Sequence, residues 1–270
     1  MTDATAAAAL LRDAYATRQL VPPFSSLDAA FDLAAAYAVE RALVRMRRAD
    51  GRTTVGRKVG FANKATWRVL KLETLVWAHM YDDTVHDSAA GESLLSIARM
   101  VSPKIEPEIV FKLKAPLEAG AADPAAVLGA VEWLALGFEI IDCVYPDWKF
   151  QPADFVAAYG LHAALVVGTP RRVEAASIPA LVDELPKFKV RLLKNGELAE
   201  EGSGKNSLRS PALCLGELAS AIARQPETDP LAKGELISSG TLTNSLPIAA
   251  GETWRVEVGG IDLAPLTLKT

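Results

Sequence analysis

The sequence predicts an α+β protein, with a helical N-terminal portion attached to a mixed β core. Two observations carry that prediction. The first 50 residues hold long alanine-rich stretches broken only by a proline-containing connector, and from residue 53 the texture changes to short β-branched runs that alternate with brief helical patterns. The chain has 270 residues, half of them apolar, which is enough to bury a full core. No internal repeat, low-complexity tract or long linker divides it, so residues 1–270 are expected to form a single domain, helical over 1–50 and mixed β over 51–270.

Taken in order, residues 5–18 and 27–48 read as helices, the second opened by Ser25 and Ser26 as caps, with TRQLVPPFSS between them as a polyproline-like connector. TTVGRKVGFA, LVWAHMYD, KIEPEIVFKL and LALGFEIIDCV read as strands, interleaved with the short helices NKATWRVLKL and PADFVAAYG. KFKVRLLKNGELAEEG reads as two strands joined by Asn195-Gly196, a dipeptide suited to a two-residue type I′ hairpin. A helix at PALCLGELASAIAR and strands at GELISSGTLT, TWRVEVG and LAPLTLK complete the chain.

Composition excludes several functional classes. A net charge of −4 argues against nucleic acid, which relies on clustered Lys and Arg. No apolar run reaches membrane-spanning length, and MTDATAAAALLRDAYATRQL lacks the basic start of a signal peptide, so a cytoplasmic location is expected. Cys143 and Cys214 lack metal-ligand spacing and read as free thiols. No GxGxxG or GxxxxGK[ST] follows a strand, which leaves nucleotide binding without support.

The chemistry concentrates in KIEPEIVF. On a strand, Ile105, Ile109 and Phe111 share one face while Lys104, Glu106, Glu108 and Val110 share the other. Facing water, the two glutamates would be an ordinary charged surface; facing inward, they would repel unless a cation sat between them. Pro107 cannot donate to a ladder and points to an edge or bulge. Glu139, in ALGFEIIDCV, is a second acid in an apolar strand, and the three glutamates together would suit a hard ion such as Mg²⁺ or Mn²⁺. His162, one of three histidines, reads either as a core imidazole or as a general base. His79 and His86 flank the aspartate turn, and Asp142, Asp147, Tyr145 and Trp148 read as loop braces and core packing. Arg57 alternates with its neighbour Lys58 and should face the opposite side.

The ordered segments GRKVGF, MYDDTV, PKIEPEIVFKL, ALGFEIIDCVYPDWK and ISSGTLT resemble the 2-keto-4-pentenoate hydratase and 4-oxalocrotonate decarboxylase group of the fumarylacetoacetate hydrolase superfamily, over nearly the whole chain. The resemblance implies a mixed β-barrel or β-roll core with a smaller N-terminal helical part, in a single catalytic domain assembled as a homo-oligomer. It also implies metal ligands at Glu106, Glu108 and Glu139, with Mg²⁺ or Mn²⁺ as cofactor. Lys58 matches the lysine that reaches the site, and Asp82 and Asp83 match an acidic pair, giving Lys58, Asp83 and His162 as candidate catalytic residues and Asp82 and Leu161 as candidate substrate contacts. One departure stands out: where hydratases of the group carry a DNASS stretch, this chain has Ala158, Tyr159, Gly160, Leu161 and His162.

The function implied is a metal-dependent hydratase that adds water to a 2-hydroxy-2,4-dienoate to give a 4-hydroxy-2-oxo acid in aromatic-compound catabolism. The alternatives are an acylpyruvate-type C–C hydrolase, a 2-oxo acid decarboxylase, or a non-catalytic partner subunit. A small 2-oxo or 2-hydroxy-dienoic acid is the expected partner, with no nucleic acid and no membrane.

Overall fold

The computed structural model describes residues 2–88 and 90–270. The chain runs α1 (Ala4–Thr17), α2 (Phe24–Leu27), α3 (Leu33–Ala49), β1 (Thr54–Gly60), α4 (Lys64–Leu70), β2 (Val76–Tyr81), β3 (Val85–Asp87), β4 (Glu92–Leu94), β5 (Pro103–Leu113), α5 (Pro124–Gly129) and β6 (Val131–Asp142). It continues through α6 (Pro152–Ala157), β7 (His162–Val167), β8 (Arg171–Arg172), α7 (Ile178–Glu184), β9 (Lys189–Lys194), β10 (Glu197–Ser203), α8 (Pro211–Ala223), β11 (Leu236–Ser238), β12 (Leu246–Pro247), β13 (Thr253–Gly259) and β14 (Leu266–Lys269).

A mixed sheet runs β2-β1-β11-β5-β6-β7-β3, with β12 paired to β5 and β8 to β6. Its two terminal strands, β2 and β3, are consecutive in the chain and separated only by residues 82–84. So short a link forces the sheet to curl back toward itself, which makes it a roll rather than an open blade. A second sheet, β10-β9-β13-β14-β4, contains the Asn195-Gly196 hairpin, with both residues at positive φ as a type I′ turn requires. The α+β class and the β-roll with a helical N-terminal part are as the sequence predicts.

Register divides the interior of the roll into two zones. Gly56 pairs with Met80 and Lys58 with Ala78; Glu106 pairs with Glu139 and Glu108 with Gly137; Gly137 pairs with Val167 and Glu139 with Leu165. Met80, Val110, Ala135, Leu165 and Val167 form an apolar cluster at one end. The same inward rows carry Lys58, Glu108 and Glu139 at the other, so strand periodicity alone delivers the charges to one place.

Three elements depart from the sequence expectation. The second long helix begins at Leu33, because the Asp32 side chain accepts from Ala35 N; Ser25 is engaged instead by Asp154, through both its N–H and its hydroxyl. Pro107 marks no bulge against β6, with which β5 pairs in register from Pro103 to Lys112, but on its other side it falls in the gap between the β11 pairing at Val110–Lys112 and the β12 pairing at Lys104 and Ile105. The Pro107 carbonyl accepts from Leu242 N, so the proline nitrogen faces that crossing loop and takes no ladder bond from β6. GELISSGTLT is a strand only over Leu236–Ser238, since the chain beyond it turns inward to meet Glu108.

Candidate active site

Each glutamate comes from a different local context. Glu106 and Glu139 lie directly opposite one another on β5 and β6, and Glu108 is the next residue on the same face of β5. Gly137 faces Glu108 because a Cβ there would come within 2.5 Å of Val110. One ligand oxygen from each of Glu106, Glu108 and Glu139 lies within 4.8 Å of the others.

The carboxylates are held by one oxygen and free at the other. Glu108 Oε2 accepts from Ser238 Oγ at 2.5 Å and Gly240 N at 2.7 Å, whereas its Oε1 has no partner among the described residues. Glu139 Oε1 lies 3.1 Å from both Lys58 Nζ and His162 Nδ1, whereas its Oε2 has no partner among the described residues. Buried, unpaired carboxylate oxygens are costly, and two of them converging with Glu106 fit a hard divalent cation. Glu106, Glu108 and Glu139 are therefore the residues that could hold the ion, and Ser238, Gly240, Lys58 and His162 fix their orientation.

Burial pushes Glu106 up to about 7, with Lys58 opposing and Glu139 reinforcing the rise. Burial raises Glu108 well above its ordinary value, helped by the charges of Glu139 and Glu106. Glu139 is also buried, but Lys58 and His162 outweigh that cost and hold it low. In the metal-free protein the folded state therefore keeps protons on Glu106 and Glu108 that the unfolded chain would release near 4.5. Its stability should be highest at acid pH and decline as pH rises from about 4.5 through 7. Glu139 has the opposite sign, and its contribution is lost only as pH falls below 4.5. The expected result is that Tm in chelator is lower at pH 8 than at pH 5.5, and that Mg²⁺ raises Tm more at pH 8. Ion affinity should climb by roughly tenfold per pH unit for each proton displaced. Identical Mg²⁺ shifts at both pH values would contradict this ionic balance.

Lys58 is fully enclosed, its Nζ donating to Gly160 O at 2.9 Å and lying 4.8 Å from the Phe155 ring centroid. Gly160 has φ +60°, and a Cβ on it would come within 2.8 Å of Lys58 Cδ, so only glycine allows this approach. Beyond Lys58 and Glu106 opens a cleft of about 510 Å³. Phe61, Trp148, Phe155 and Leu161 give it apolar walls, and Asn63, Asn206, Thr241 and Asn244 give it polar ones.

The structure thus brings Glu106, Glu108, Glu139, Lys58, Leu161 and His162 together, but His162 sits behind Glu139. Its Nδ1 faces Glu139 and its Nε2 lies 2.9 Å from Thr84 Oγ1, which occupies both ring nitrogens. Asp82 and Asp83 are not brought to the cluster. They lie exposed in the turn between β2 and β3, where Asp82 accepts from Thr53 N and Asp83 pairs with Arg47 and Arg52. The sharp reversal that closes the roll uses them there. Arg57 faces away from Lys58 and pairs with Glu235 at 2.8 Å; His79 is buried against Glu40 at 2.5 Å. Asp142 braces the 101–102 backbone, accepting from Val101 N and Ser102 N. Sequence reasoning missed Ser238, Gly240 and the Gly160 carbonyl, which are ordinary loop residues until the loops close on the strands.

The chain matches no protein-family model. It is 30% identical over 226 residues, 84% of this chain and 82% of the relative, to a 2-hydroxyhexa-2,4-dienoate hydratase of Comamonas testosteroni. It is 29% identical, again over 226 residues, 84% of this chain and 81% of the relative, to a 4-oxalocrotonate decarboxylase of Pseudomonas sp. strain CF600. Its fold superposes with TM-score 0.87 and 25% identity, covering 98% of this chain and 96% of the other, on a 4-oxalocrotonate decarboxylase from Pseudomonas putida G7 complexed with magnesium and adipate. A fumarylpyruvate hydrolase from Pseudomonas aeruginosa shares the fold more distantly, with TM-score 0.55, 18% identity and coverage of 80% of this chain and 88% of that one. With the acidic cluster in place on the same fold, the chain belongs to the 2-keto-4-pentenoate hydratase and 4-oxalocrotonate decarboxylase group of the fumarylacetoacetate hydrolase superfamily.

Proposed function

We propose that the protein is a divalent-metal-dependent hydratase that adds water to a 2-hydroxy-2,4-dienoate to give a 4-hydroxy-2-oxo acid in aromatic-compound catabolism. The observation that carries this reading is the charge of the cleft: besides the acids Glu106 and Glu201, Lys58 is the sole charged residue among the described residues that line it. One carboxylate at the metal end is therefore all the cleft is built to neutralise, and the rest of the substrate meets rings, amides and hydroxyls. Glu106, Glu108 and Glu139 would hold Mg²⁺ or Mn²⁺, which would supply Lewis-acid chemistry at the metal end of the cleft.

Around that point each residue has a separate task. Lys58 holds or moves a proton at the substrate end of the cleft, in an enclosed position that excludes bulk water. Leu161 packs against the substrate tail, and its apolar side chain suits a longer hydrocarbon than a serine at that position would. His162 acts as a positioning residue that keeps Glu139 aimed inward. Asp82 and Asp83 secure the β2–β3 turn rather than touching substrate. The reading includes a cytoplasmic homo-oligomer: Leu10, Leu20, Leu27 and Leu94 are exposed, and no helix among the described residues is long and apolar enough to cross a membrane.

A second reading, decarboxylation of a substrate with a further carboxylate, draws on the adjoining cleft. That cleft shares Ala62, Asn63 and Asn206 with the first and adds Lys64, Lys205 and Arg209. Product analysis by NMR separates the two. Given 2-hydroxypenta-2,4-dienoate, its carboxylated homologue and an acylpyruvate, the protein should form a 4-hydroxy-2-oxo acid from the dienoate with Mg²⁺ and none in chelator. CO₂ from the carboxylated homologue, or pyruvate plus a free acid from the acylpyruvate, would transfer the assignment to decarboxylase or hydrolase.

A further inference from the structure

Behind the acidic cluster lies a second cavity, of about 440 Å³, that the proposed reaction does not use. Its wall is the segment that departs from the DNASS pattern. Tyr159 and His162 face this cavity, whereas Leu161 lines the catalytic cleft and the Gly160 carbonyl holds Lys58. Tyr159, Gly160 and Leu161 are all in the left-handed region, with φ of 57°, 60° and 57°. For Tyr159 and Leu161, unlike Gly160, that conformation is strained, and strain of this kind persists where the surroundings enforce it and gathers at ligand clamps and switches.

The lining is cationic and aromatic. Arg12, Arg47 and Arg99 contribute to it, against Asp50 and Asp142. Asp142 is already committed to the Val101 and Ser102 amides, Arg12 lies 3.5 Å from Asp50, and Arg47 pairs with Asp83; Arg99 has no ion pair among the described residues. Tyr81 is only 2% exposed, yet its hydroxyl has no hydrogen-bond partner among the described residues, and neither has that of Tyr159. Arg99 is exposed, and it lines the cavity together with Tyr81 and Tyr159, so an oxyanion entering from solvent would meet an unpaired guanidinium and two open hydroxyl donors. The rings of Tyr15, Tyr81 and Tyr159 stand edge to face, with centroids 5.9 and 6.3 Å apart, and with Met100 they leave apolar walls that a bare phosphate would not cover.

We propose that this cavity binds a small planar carboxylate on Arg99 and the Tyr81 and Tyr159 hydroxyls, and that its occupancy is coupled to the acidic cluster through residues 159–162. The path is short: an occupant against Tyr159 and His162 bears on Glu139 through His162 Nδ1 and on Lys58 through the Gly160 carbonyl. Coupling of this kind is reciprocal, so the carboxylate must alter Mg²⁺ affinity by the same factor by which Mg²⁺ alters that of the carboxylate.

Calorimetric titration of benzoate into the full chain, with and without Mg²⁺, tests the proposal. Saturable binding is expected, weakened roughly tenfold by Arg99→Ala, retained in Glu106→Gln, and shifted about fivefold or more by Mg²⁺. Turnover of the Arg99→Ala enzyme without benzoate should equal that of the wild type. Absence of saturable binding, binding indifferent to Arg99→Ala, or binding lost in Glu106→Gln would overturn the site, the last by placing benzoate at the metal. Inorganic phosphate binding in place of benzoate would overturn the ligand class, and equal benzoate affinity with and without Mg²⁺ would overturn the coupling.

Discussion

Changing Glu106 to glutamine should lower Mg²⁺ affinity and turnover by roughly a hundredfold or more while leaving the fold intact. The glutamate stands opposite Glu139 in the β5–β6 ladder, and one of its oxygens completes a set that lies within 4.8 Å. Glutamine keeps the shape and removes the charge. It also removes a group that burial and Glu139 push up to about 7, so the metal-free variant should be at least as stable as the wild type at pH 8. Glu106 therefore contributes to ion capture at some cost to the empty fold. Calorimetry and turnover on the same preparation decide the matter; unchanged activity would remove the acidic cluster from the mechanism.

Lys58→Met should give the complementary result. Turnover should fall by about 10² to 10⁴-fold, the range for loss of a positioned proton-transfer group. Mg²⁺ affinity should hold or tighten, because a cation 3.1 Å from Glu139 competes with the ion for that carboxylate. Methionine fills the enclosed channel beside Phe155 and Gly160, so the loss would not come from a cavity. Loss of ion binding in this variant would show that Lys58 organises the ligands rather than acting on substrate.

The acidic cluster is legible in the sequence because strand alternation is a local rule: Glu106 and Glu108 must share a face, and an acid in an apolar strand such as Glu139 needs a reason to be there. That Glu106 lies opposite Glu139, with Glu108 beside it opposite Gly137, depends on register, which the segments do not encode separately. The groups that orient the cluster were hidden for the same reason. Ser238 and Gly240 reach Glu108 across 130 and 132 residues, and the Gly160 carbonyl reaches Lys58 across 102. Asp82 and Asp83 are matched by motif alone, and in the structure both lie exposed in the β2–β3 turn with Thr53, Arg47 and Arg52 as partners. Ser25 is a good helix cap by composition, but it lies inside α2, eight residues before the long helix, and its hydroxyl and N–H go to Asp154, 129 residues away.

The most direct test of a metal centre at Glu106, Glu108 and Glu139 is a crystal structure of the protein grown with Mn²⁺, with anomalous data collected to locate the ion. One strong peak is expected, bounded by Glu106, Glu108 Oε1 and Glu139 Oε2, with Ser238 and Gly240 still holding the other Glu108 oxygen. An empty cluster in crystals saturated with Mn²⁺, or a peak held by Asp82 and Asp83 instead, would contradict it.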